Sequence, residues 1–508
     1  MRIAFRVDAS HQIGTGHVMR CLTLAGVLSA EGVQCLFICR EHTGHLIDLI
    51  CREGYEVLRL PQSSLPLQTA EEQWLGTDWR SDAEQTLEAL RDAPPDWLVV
   101  DHYALEARWE SILRENCGRL MVIDDLADRP HDCDLLLDQN LVADLYKRYE
   151  SLLPKQSASL LGPCYALLQP VYAALHEEAR PRSGQPQRLF IFFGGVDKDN
   201  LTQTALSALL KLDLSNLHVD VVVADSNPHR EALEMLVSDV PNIRLHGSQP
   251  TLAPMLLAAD LAIGAGGSTN WERLCLGLPT LVITLANNQR LIVDELNKRG
   301  LVRWIGDKDS IQVDALVAQI SIFLQQPLDA WSASCLKVVD GLGVGRVCAA
   351  LLANKNTVLI ARSACQDDEV QLLEWANDPL TRRNSFSSGQ ILPESHHLWF
   401  TQRLAKADCQ LYLIETVGGL AAGQVRFERA HSAWEVHFTL NPVLRGRGLG
   451  SSLLKTALDA FVKVKPGVVV FGAVKSENRA SCRIFEALNF SLVSVVDADV
   501  AIYKSNQF

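Results

Sequence analysis

Short apolar runs alternate with longer helical patterns along the first part of the chain. The runs are RIAFRVDA (2–9), QCLFICR (34–40), DWLVVDHY (96–103), LMVIDDLA (120–127) and LLLDQN (135–140). Strands of a parallel sheet are covered on both faces, so mostly apolar runs of this length predict parallel strands joined by helices.

The alternation pauses at the polar, proline-bearing stretch EEARPRSGQPQ (177–187) and then restarts. The second set of runs is RLFIFFGG (188–195), HVDVVVAD (218–225), IRLHG (243–247), LAIGAGG (261–267) and TLVITL (280–285). We therefore predict two doubly wound Rossmann-like halves, residues 1–185 and 186–352. Such halves bind ligands outside the carboxyl ends of their strands, which places a cleft between them.

The pattern changes near residue 357. TVLIARSACQDDEVQLLEWANDP (357–379) predicts a strand, a turn and an amphipathic helix, the opening of a separate α+β domain over residues 357–508. The predicted fold class is thus an α/β pair of Rossmann-like domains followed by an α+β domain.

Composition narrows the function classes. The chain has 60 acidic and 47 basic residues, a net charge of -13, which disfavours nonspecific binding to nucleic acid or an anionic membrane. No apolar run reaches the 18 or so residues that span a bilayer, and no basic-then-apolar leader is present. Its 13 cysteines are scattered without a C-x-x-C pair, so we expect a cytoplasmic protein with reduced thiols.

The first glycine-rich loop carries a histidine. Gly14 and Gly16 allow a tight turn before a helix whose free N–H groups can hold an anion, and His17 follows directly. A neutral imidazole can take a proton from water near neutral pH. The motif is compatible with two interpretations of His17: a general base, or a histidine that caps a helix or fills a gap in the packing.

Two further glycine-rich loops follow strands of the second half. FFGGVDKDN (192–200) contains Gly195, and GAGGSTNWERLCLGLPT (264–280) places Gly267, Ser268 and Thr269 before a helix, where backbone N–H groups can hold a diphosphate. Glu272, one turn into that helix, either accepts hydrogen bonds from ribose hydroxyls or favours the helix dipole.

Together these motifs resemble the UDP-2,4-diacetamido-2,4,6-trideoxy-β-L-altropyranose hydrolases of pseudaminic acid synthesis. The resemblance covers residues 1–352 and rests on RVDASHQIGTGHVMRCLTLA, VVDHYALEARWE, VIDDLADRPHDCDLLLDQN, LGPCYALLQP, FFGGVDKDN and the loop beginning at Gly264. That loop alone is also similar to the peptidoglycan glycosyltransferase that adds N-acetylglucosamine. The resemblance implies a GT-B fold, with His17 activating water for inverting attack on the anomeric carbon and departure of UDP.

Other polar residues at strand ends are candidates for contacts with the sugar. Tyr103 offers an aromatic face and a hydroxyl, although a packed aromatic fits as well. Asn288 and Gln289, in the LANNQ loop, are candidate hydrogen-bonding residues. Asp124, Asp125 and Asp138 more often cap helices or accept from sugar hydroxyls than bind a divalent ion, and we predict no metal.

The C-terminal domain has its own glycine-rich loop. AWEVHFTLNPVLRGRGLGSSLLKTAL (433–458) predicts a strand, the loop and a helix, and the loop residues that could wrap a pyrophosphate are Arg445, Gly446, Arg447, Gly448 and Gly450. With ENRASCRIFEALNF (477–490), which includes Asn478, the segment resembles the GCN5-related N-acetyltransferases (GNATs), over residues 357–508. The resemblance implies acetyl-coenzyme A as co-substrate.

Catalysis of acetyl transfer needs a base near the strand before the loop. Alternation puts Glu435 and His437 on the face opposite Trp434 and Val436, so either is a candidate, and a solvated polar face is the alternative. Phe485 stands where many acetyltransferases have a proton-donating tyrosine. The acid stays open among Ser481, Tyr503 and water; His396 is a candidate for shaping the acceptor pocket.

The fusion suggests consecutive steps of one pathway. We predict a bifunctional enzyme that removes UDP from the diacetamido sugar and N-acetylates its UDP-linked 4-amino precursor. The alternatives are an inverting glycosyltransferase and a nucleotide-sugar sensor with an inactive acetyltransferase domain. Expected partners are the small-molecule UDP-sugar and other enzymes of the pathway, without nucleic acid or membrane.

Overall fold

The chain divides into two compact units, Met1–Val344 and Gly345–Phe508, called here the N-terminal and C-terminal units. The computed structural model describes residues 1–63, 66–225, 227–496 and 499–506. The finer boundaries at residues 185 and 352 stay predictions.

The first sheet of the N-terminal unit is fully parallel, with strand order β3-β2-β1-β4-β5-β6-β7. Its strands are β1 (Arg2–Val7), β2 (Gln34–Arg40), β3 (Glu56–Leu60), β4 (Trp97–Asp101), β5 (Arg119–Ile123), β6 (Leu135–Asp138) and β7 (Ala158–Leu161). The accompanying helices are α1 (Gly16–Ala30), α2 (Ile47–Arg52), α3 (Ala70–Leu75), α4 (Trp79–Leu90), α5 (Ala107–Arg114) and α6 (Pro170–Glu178).

The second sheet is also parallel, with order β10-β9-β8-β11-β12-β13. Its strands are β8 (Arg188–Phe192), β9 (His218–Val222), β10 (Ile243–His246), β11 (Leu261–Ala265), β12 (Thr280–Thr284) and β13 (Arg303–Asp307). The helices that follow are α7 (Leu201–Leu209), α8 (Arg230–Val237), α9 (Ala253–Ala258), α10 (Thr269–Cys275), α11 (Asn288–Lys298), α12 (Val313–Leu324), α13 (Asp329–Cys335) and α14 (Gly343–Leu352), the last of which contains the boundary between the units.

Both sheets reverse their strand order at one point, between β1 and β4 in the first and between β8 and β11 in the second. Helices on both faces bury the central strands; Phe5, Leu98, Ile191 and Ile263 have no exposed surface. A crevice opens at such a reversal, outside the carboxyl ends of the strands. The loops singled out from the sequence follow β1, β8 and β11, so they border these two points.

The C-terminal unit holds a seven-stranded sheet of order β14-β15-β16-β17-β18-β20-β19. The strands are β14 (Leu359–Ser363), β15 (Cys409–Thr416), β16 (Ala421–Ala430), β17 (Ala433–Leu440), β18 (Val470–Lys475), β19 (Ser491–Val496) and β20 (Val500–Lys504). The helices are α15 (Glu369–Asn377), α16 (Pro379–Asn384), α17 (Pro393–Ala405), α18 (Gly450–Val464) and α19 (Arg479–Ala487).

The pairing of β17 with β18 is parallel, whereas the other neighbours in this sheet are antiparallel. The ladder joins Trp434 to Val470 and Glu435 to Phe471, and among the described residues it goes no further. The two strands therefore separate beyond Glu435. The predicted fold class, two Rossmann-like sheets followed by an α+β domain, is confirmed. Within the described ranges, no helix has the length and apolar character needed to cross a bilayer.

Candidate functional sites

His17 lies in the first turn of α1, because the helix begins at Gly16. The turn before it is held by the hydroxyl of Ser10, which accepts hydrogen bonds from the backbone N–H groups of Gln12 and Ile13. Gly14 has a φ of 83°, in the left-handed region that favours glycine. These contacts place His17, 8% exposed, at the strand-order reversal beside the end of β4.

A carboxylate and a guanidinium surround the inner side of the His17 ring. Nδ1 of His17 lies 2.6 Å from Oδ1 of Asp101, the last residue of β4. Arg20 donates from Nε and Nη2 to the two oxygens of Asp101, each at 2.6 Å. Neither partner was predicted from the sequence, although the i, i+3 spacing of His17 and Arg20 on one helix and the aspartate at the end of the WLVVD strand are signals that could have indicated them.

The electrostatics of this group keep Asp101 ionised. Burial alone would raise the pKa of Asp101, but the guanidinium of Arg20 and the imidazole of His17 outweigh it and hold the pKa well below its usual range. Burial, helped by Asp125, raises the pKa of Tyr103, so the phenol keeps its proton.

Tyr103 forms part of an aromatic wall. The Tyr103 ring contacts the His17 ring edge-on, with 4.7 Å between ring centroids. The ring centroid of Trp74, which was not predicted as a site residue, lies 5.8 Å from that of Tyr103. Asn288 donates from Nδ2 to the Tyr103 hydroxyl at 3.3 Å. The structure thus brings together His17 of α1, Tyr103 after β4 and Asn288 of α11, which are helix and loop residues that flank the two different sheets.

The prediction that Asn288 and Gln289 lie in a loop is wrong, because α11 begins at Asn288. Gln289 turns its side chain back onto the chain, and its Oε1 accepts from the backbone N–H of Leu285 at 2.9 Å. This bond closes the turn between β12 and α11 and leaves Asn288, which is exposed, as the residue that reaches Tyr103.

The three glycine-rich loops approach one another. A Cβ built on Gly16 would lie 4.0 Å from the Ser268 hydroxyl, and one built on Gly195 would lie 3.4 Å from the Thr15 hydroxyl. At Gly266 a Cβ would come within 2.6 Å of Val293, so the close packing of this loop on α11 requires glycine. Gly267, Ser268 and Thr269 then lead into α10, as predicted for an anion site; their ligand contacts stay a prediction.

Glu272 lies one turn into α10. Burial raises its pKa to about 7, against the lowering effect of a hydrogen bond with Tyr172 and of the charge on Arg273. The neighbouring Arg273 donates from Nη2 to the carbonyl of Ala265 and to Asn270, both at 2.6 Å, and so ties α10 to the end of β11. A ribose contact by Glu272 stays a prediction.

The acidic residues at the ends of β5 and β6 have protein partners. Asp124 accepts from Tyr149 at 2.9 Å and pairs with Arg129 at 2.9 Å, while Asp138 pairs with Arg148. Asp125 lies 3.3 Å from Arg20 and so extends the charge network around His17. Among the residues that the structure describes, no group of three or more His, Cys, Asp or Glu is arranged to hold a metal ion.

The glycine-rich loop of the C-terminal unit has the backbone conformation of an anion cradle. Gly446 and Gly448 have φ values of 74° and 78°, and Gly450 starts α18. A Cβ on Gly450 would lie 2.4 Å from the terminal methyl group of Ile484 of α19, so a larger residue there would require the Ile484 side chain to shift. The backbone N–H groups of this loop at a helix N-terminus suit the pyrophosphate of coenzyme A.

The arginines of this loop make contacts within the unit. Arg445 pairs with Asp378 at 2.7 Å and donates to the Thr381 hydroxyl at 2.8 Å. Arg447 donates to the carbonyl of Ala350. These contacts tie the loop to neighbouring segments, and the predicted contact of Arg445 and Arg447 with the pyrophosphate stays a prediction.

Glu435 and His437 lie on one face of β17, where the strand leaves β18. Nε2 of His437 is 3.6 Å from Oε1 of Glu435. Burial, with the nearby charge of Arg426, lowers the pKa of His437 to about 4, and burial raises the pKa of Glu435. Both side chains are half-buried, whereas Trp434 and Val436 are buried on the opposite face, so the two candidate bases border the opening between the strands.

Phe485 fills the space behind that opening. Its ring is 1% exposed and stacks on Tyr503 at 5.3 Å, while its Cζ points at Gly472 of β18. The Tyr503 hydroxyl donates to Glu486 at 3.0 Å. Phe485 itself has no proton to donate, and the general acid stays open among Ser481, Tyr503 and water.

Two other candidates of this unit have structural contacts. Asn478 caps α19 by accepting from the backbone N–H of Ser481 at 3.2 Å, and its predicted coenzyme contact stays untested. His396 is 3% exposed and stacks on Phe400 at 5.7 Å; both residues belong to α17 and lie on its buried face.

The comparisons with known proteins agree with these two classes of site. Residues 359–491 match the acetyltransferase (GNAT) domain family, so a GNAT domain is present in the C-terminal unit. The N-terminal region matches a UDP-2,4-diacetamido-2,4,6-trideoxy-beta-L-altropyranose hydrolase of Campylobacter jejuni, 27% identical over 59% of this chain and 97% of that protein.

Two more relatives extend the comparison. The spore coat polysaccharide biosynthesis protein SpsG of Bacillus subtilis is 26% identical over 69% of this chain and 98% of its own length. An uncharacterised protein of Methanocaldococcus jannaschii is 22% identical over the full length of both chains. The N-terminal region is thus similar to a UDP-sugar hydrolase and to a spore coat polysaccharide biosynthesis protein, and the two-part chain has a counterpart of matching length.

Proposed function

We propose that the chain is a bifunctional nucleotide-sugar enzyme. The N-terminal unit hydrolyses UDP-2,4-diacetamido-2,4,6-trideoxy-β-L-altropyranose to UDP and the free sugar, and the C-terminal unit N-acetylates the 4-amino group of the UDP-linked precursor. The observation that carries the first activity is the His17 imidazole, bonded to Asp101 where strand order reverses and bordered by glycine-rich loops from the other sheet.

This arrangement supports the proposed hydrolysis. Nδ1 of His17 is occupied by Asp101, which leaves Nε2 to take a proton from water as the water oxygen attacks the anomeric carbon. The bond from that carbon to the diphosphate oxygen breaks with inversion. The amides of Gly267, Ser268 and Thr269 would hold the charge that develops on UDP, so no metal is required for its departure.

Acetyl transfer is supported by the GNAT match and by the geometry of β17 and its following loop. The backbone of residues 445–450 would hold the pyrophosphate of acetyl-coenzyme A. Glu435 or His437 would take the proton from the amine as its nitrogen attacks the thioester carbonyl, and coenzyme A leaves as the thiolate. A side-chain acid from Phe485 is not part of this proposal, because a phenyl ring has no proton to give.

The enzyme is proposed to work in the cytoplasm on small molecules, without metal, nucleic acid or membrane partners. The negative net charge, and 13 cysteines scattered without a C-x-x-C pair, support that setting.

Phe485, which has no proton to donate where many acetyltransferases have a tyrosine, supports a second candidate for the C-terminal unit, a sensor that binds acetyl-coenzyme A without transferring the acetyl group. Incubating the full chain with the UDP-diacetamido sugar and no acceptor tests the first activity by UDP release, with His17→Asn as the matched control. Incubation with acetyl-coenzyme A and the UDP-4-amino sugar tests the second by the mass of the product. UDP release only on addition of an acceptor would identify a glycosyltransferase, and binding without transfer would identify the sensor.

A further inference from the structure

The partners of His17 carry opposite charges in a buried place. Asp101 has no exposed side-chain surface, and the side chains of His17 and Arg20 are each 9% exposed. A buried carboxylate 2.6 Å from an imidazole nitrogen normally favours the protonated ring, which cannot act as a base. The site therefore needs a group that lets Asp101 orient the ring without charging it.

Arg20 has the geometry for that task. It contacts both oxygens of Asp101, and its Nη2 also lies 3.1 Å from Nδ1 of His17. The guanidinium thus neutralises the carboxylate and places its own positive charge against the ring. The two-point contact fixes the plane of the Asp101 carboxylate as well, which in turn fixes the direction of Nε2.

Among the residues that the structure describes, the other charged or titratable groups that interact with this pair come from three segments. They are Cys21 of α1, His102 and Tyr103 after β4, and Asp125 after β5. Burial lowers the pKa of His102 to about 3, and burial raises those of Cys21 and Tyr103, so these three groups are neutral near pH 7. Asp125 contacts Arg20, so Arg20 is the cation on which both carboxylates converge.

We propose that Arg20 is a positioning residue that keeps the His17 ring neutral by neutralising Asp101, so that Asp101 orients the ring without holding a proton on it. The inference rests on the proposed function of His17 as the base. It adds a residue that determines at which pH that base is available.

The test compares charge-changing variants of the full chain. Arg20→Met leaves Asp101 uncompensated, so the His17–Asp101 pair binds one more proton at neutral pH. We expect the low-pH limb of kcat/KM for UDP release to move up by about one to two pH units, with activity at pH 6.5 falling about 10- to 100-fold and largely recovering above pH 8.5. Arg20→Lys keeps the positive charge, so the low-pH limb of kcat/KM should stay within about half a pH unit of its wild-type position. We expect kcat to fall, because lysine cannot make the two-point contact that orients Asp101.

The double variant Arg20→Met/Asp101→Asn separates charge from structure. With both charges removed, the limb should return to within about half a unit of the wild-type position, at a reduced kcat. An Arg20→Met enzyme whose activity falls equally at every pH, with an unmoved limb, would contradict the inference. If Arg20→Met does not fold, as judged by its thermal transition, Arg20→Gln makes the same charge change with a polar side chain.

A second measurement does not depend on turnover. The ring carbon of His17 can be followed in full-length protein labelled with 13C-histidine, its signal assigned by its loss in His17→Asn. We expect this signal to titrate at higher pH in the Arg20→Met or Arg20→Gln protein than in the wild type, and equal midpoints would overturn the inference. Absence of UDP release by the wild-type enzyme would instead contradict the proposed function, and the histidine titration would still decide the role of Arg20.

Discussion

Replacing Gly448 with aspartate gives the most direct perturbation of the proposed acetyl-coenzyme A site. Gly448 is exposed in the loop before α18 and has a φ of 78°. A Cβ at this position would lie 3.1 Å from Cβ of Lys355, a contact tight enough to require a small shift. The Gly448→Asp variant adds a side chain in a left-handed conformation and a negative charge where a pyrophosphate is expected.

The two contributions have different sizes and can be separated. Holding a non-glycine residue at positive φ costs about 1–2 kcal/mol, and asparagine and aspartate tolerate this conformation better than other residues. One added charge about 6 Å from a phosphate, at an effective dielectric constant of about 20–40, costs about 1.4–2.8 kcal/mol, or about 10- to 100-fold in affinity. Gly448→Asn carries the first cost without the second and is the matched control.

Calorimetric titration of the full chain with acetyl-coenzyme A measures both. We expect Gly448→Asn to bind more weakly than the wild type, and Gly448→Asp to bind about 10- to 100-fold more weakly than Gly448→Asn at low salt. Salt screens exposed charges, and the Debye length in 0.5 M salt is about 4 Å. The ratio of the Kd of Gly448→Asp to that of Gly448→Asn should therefore shrink in 0.5 M salt, while the ratio of the Kd of Gly448→Asn to that of the wild type stays constant. Equal binding by the Asp and Asn variants at low salt would refute the placement of the pyrophosphate at this loop.

Three further predictions concern the remaining candidate residues. His17→Asn should abolish UDP release while UDP affinity, measured by calorimetry, stays within about threefold of wild type, because a base acts on the transition state; normal turnover would remove His17 from the mechanism. Asn288→Ala, which deletes the bond to the Tyr103 hydroxyl, should raise KM with a smaller effect on kcat, and Tyr103→Phe should reproduce that effect if the bond matters; unchanged KM in both would contradict a role in substrate binding. Phe485→Tyr should lower the thermal midpoint without raising the acetyl-transfer rate, because the new hydroxyl would be pressed against the β18 backbone at Gly472; a faster enzyme would show that the acid is missing and can be restored.

The central strands could be predicted from the sequence because they are continuous apolar runs. Three parallel strands were not predicted from the sequence. They are β3, β7 and β13, and each is an edge strand of its sheet. An edge strand has one neighbour and more exposed positions, so EVLRL of β3 and RWIGD of β13 mix charged and apolar residues and lack the signal of a buried strand. Strand order also required the structure, since local patterns do not specify which strands pair.

Part of the candidate site could also be predicted from local sequence patterns. His17 and the glycine-rich loops have local signatures, because a tight turn and a helix N-terminus need particular residues at fixed spacing. The Asp101–His17 contact joins residues 84 positions apart, and Trp74 reaches Tyr103 only through the fold. Phe485 shows the same limit, since its sequence position suggested a missing acid and its packing against Tyr503 gives it a structural role.

The origin of the oxygen in the free sugar shows whether water attacks the anomeric carbon, as we propose for the N-terminal unit. Full-length enzyme is incubated with the UDP-diacetamido sugar in water enriched in heavy oxygen, without any acceptor, and both products are weighed by mass spectrometry. We predict UDP release with one heavy oxygen at the anomeric position of the sugar and none in UDP, because the water that His17 activates attacks carbon. Heavy oxygen in UDP would mean attack at phosphorus, and no UDP release without an acceptor would contradict hydrolysis altogether.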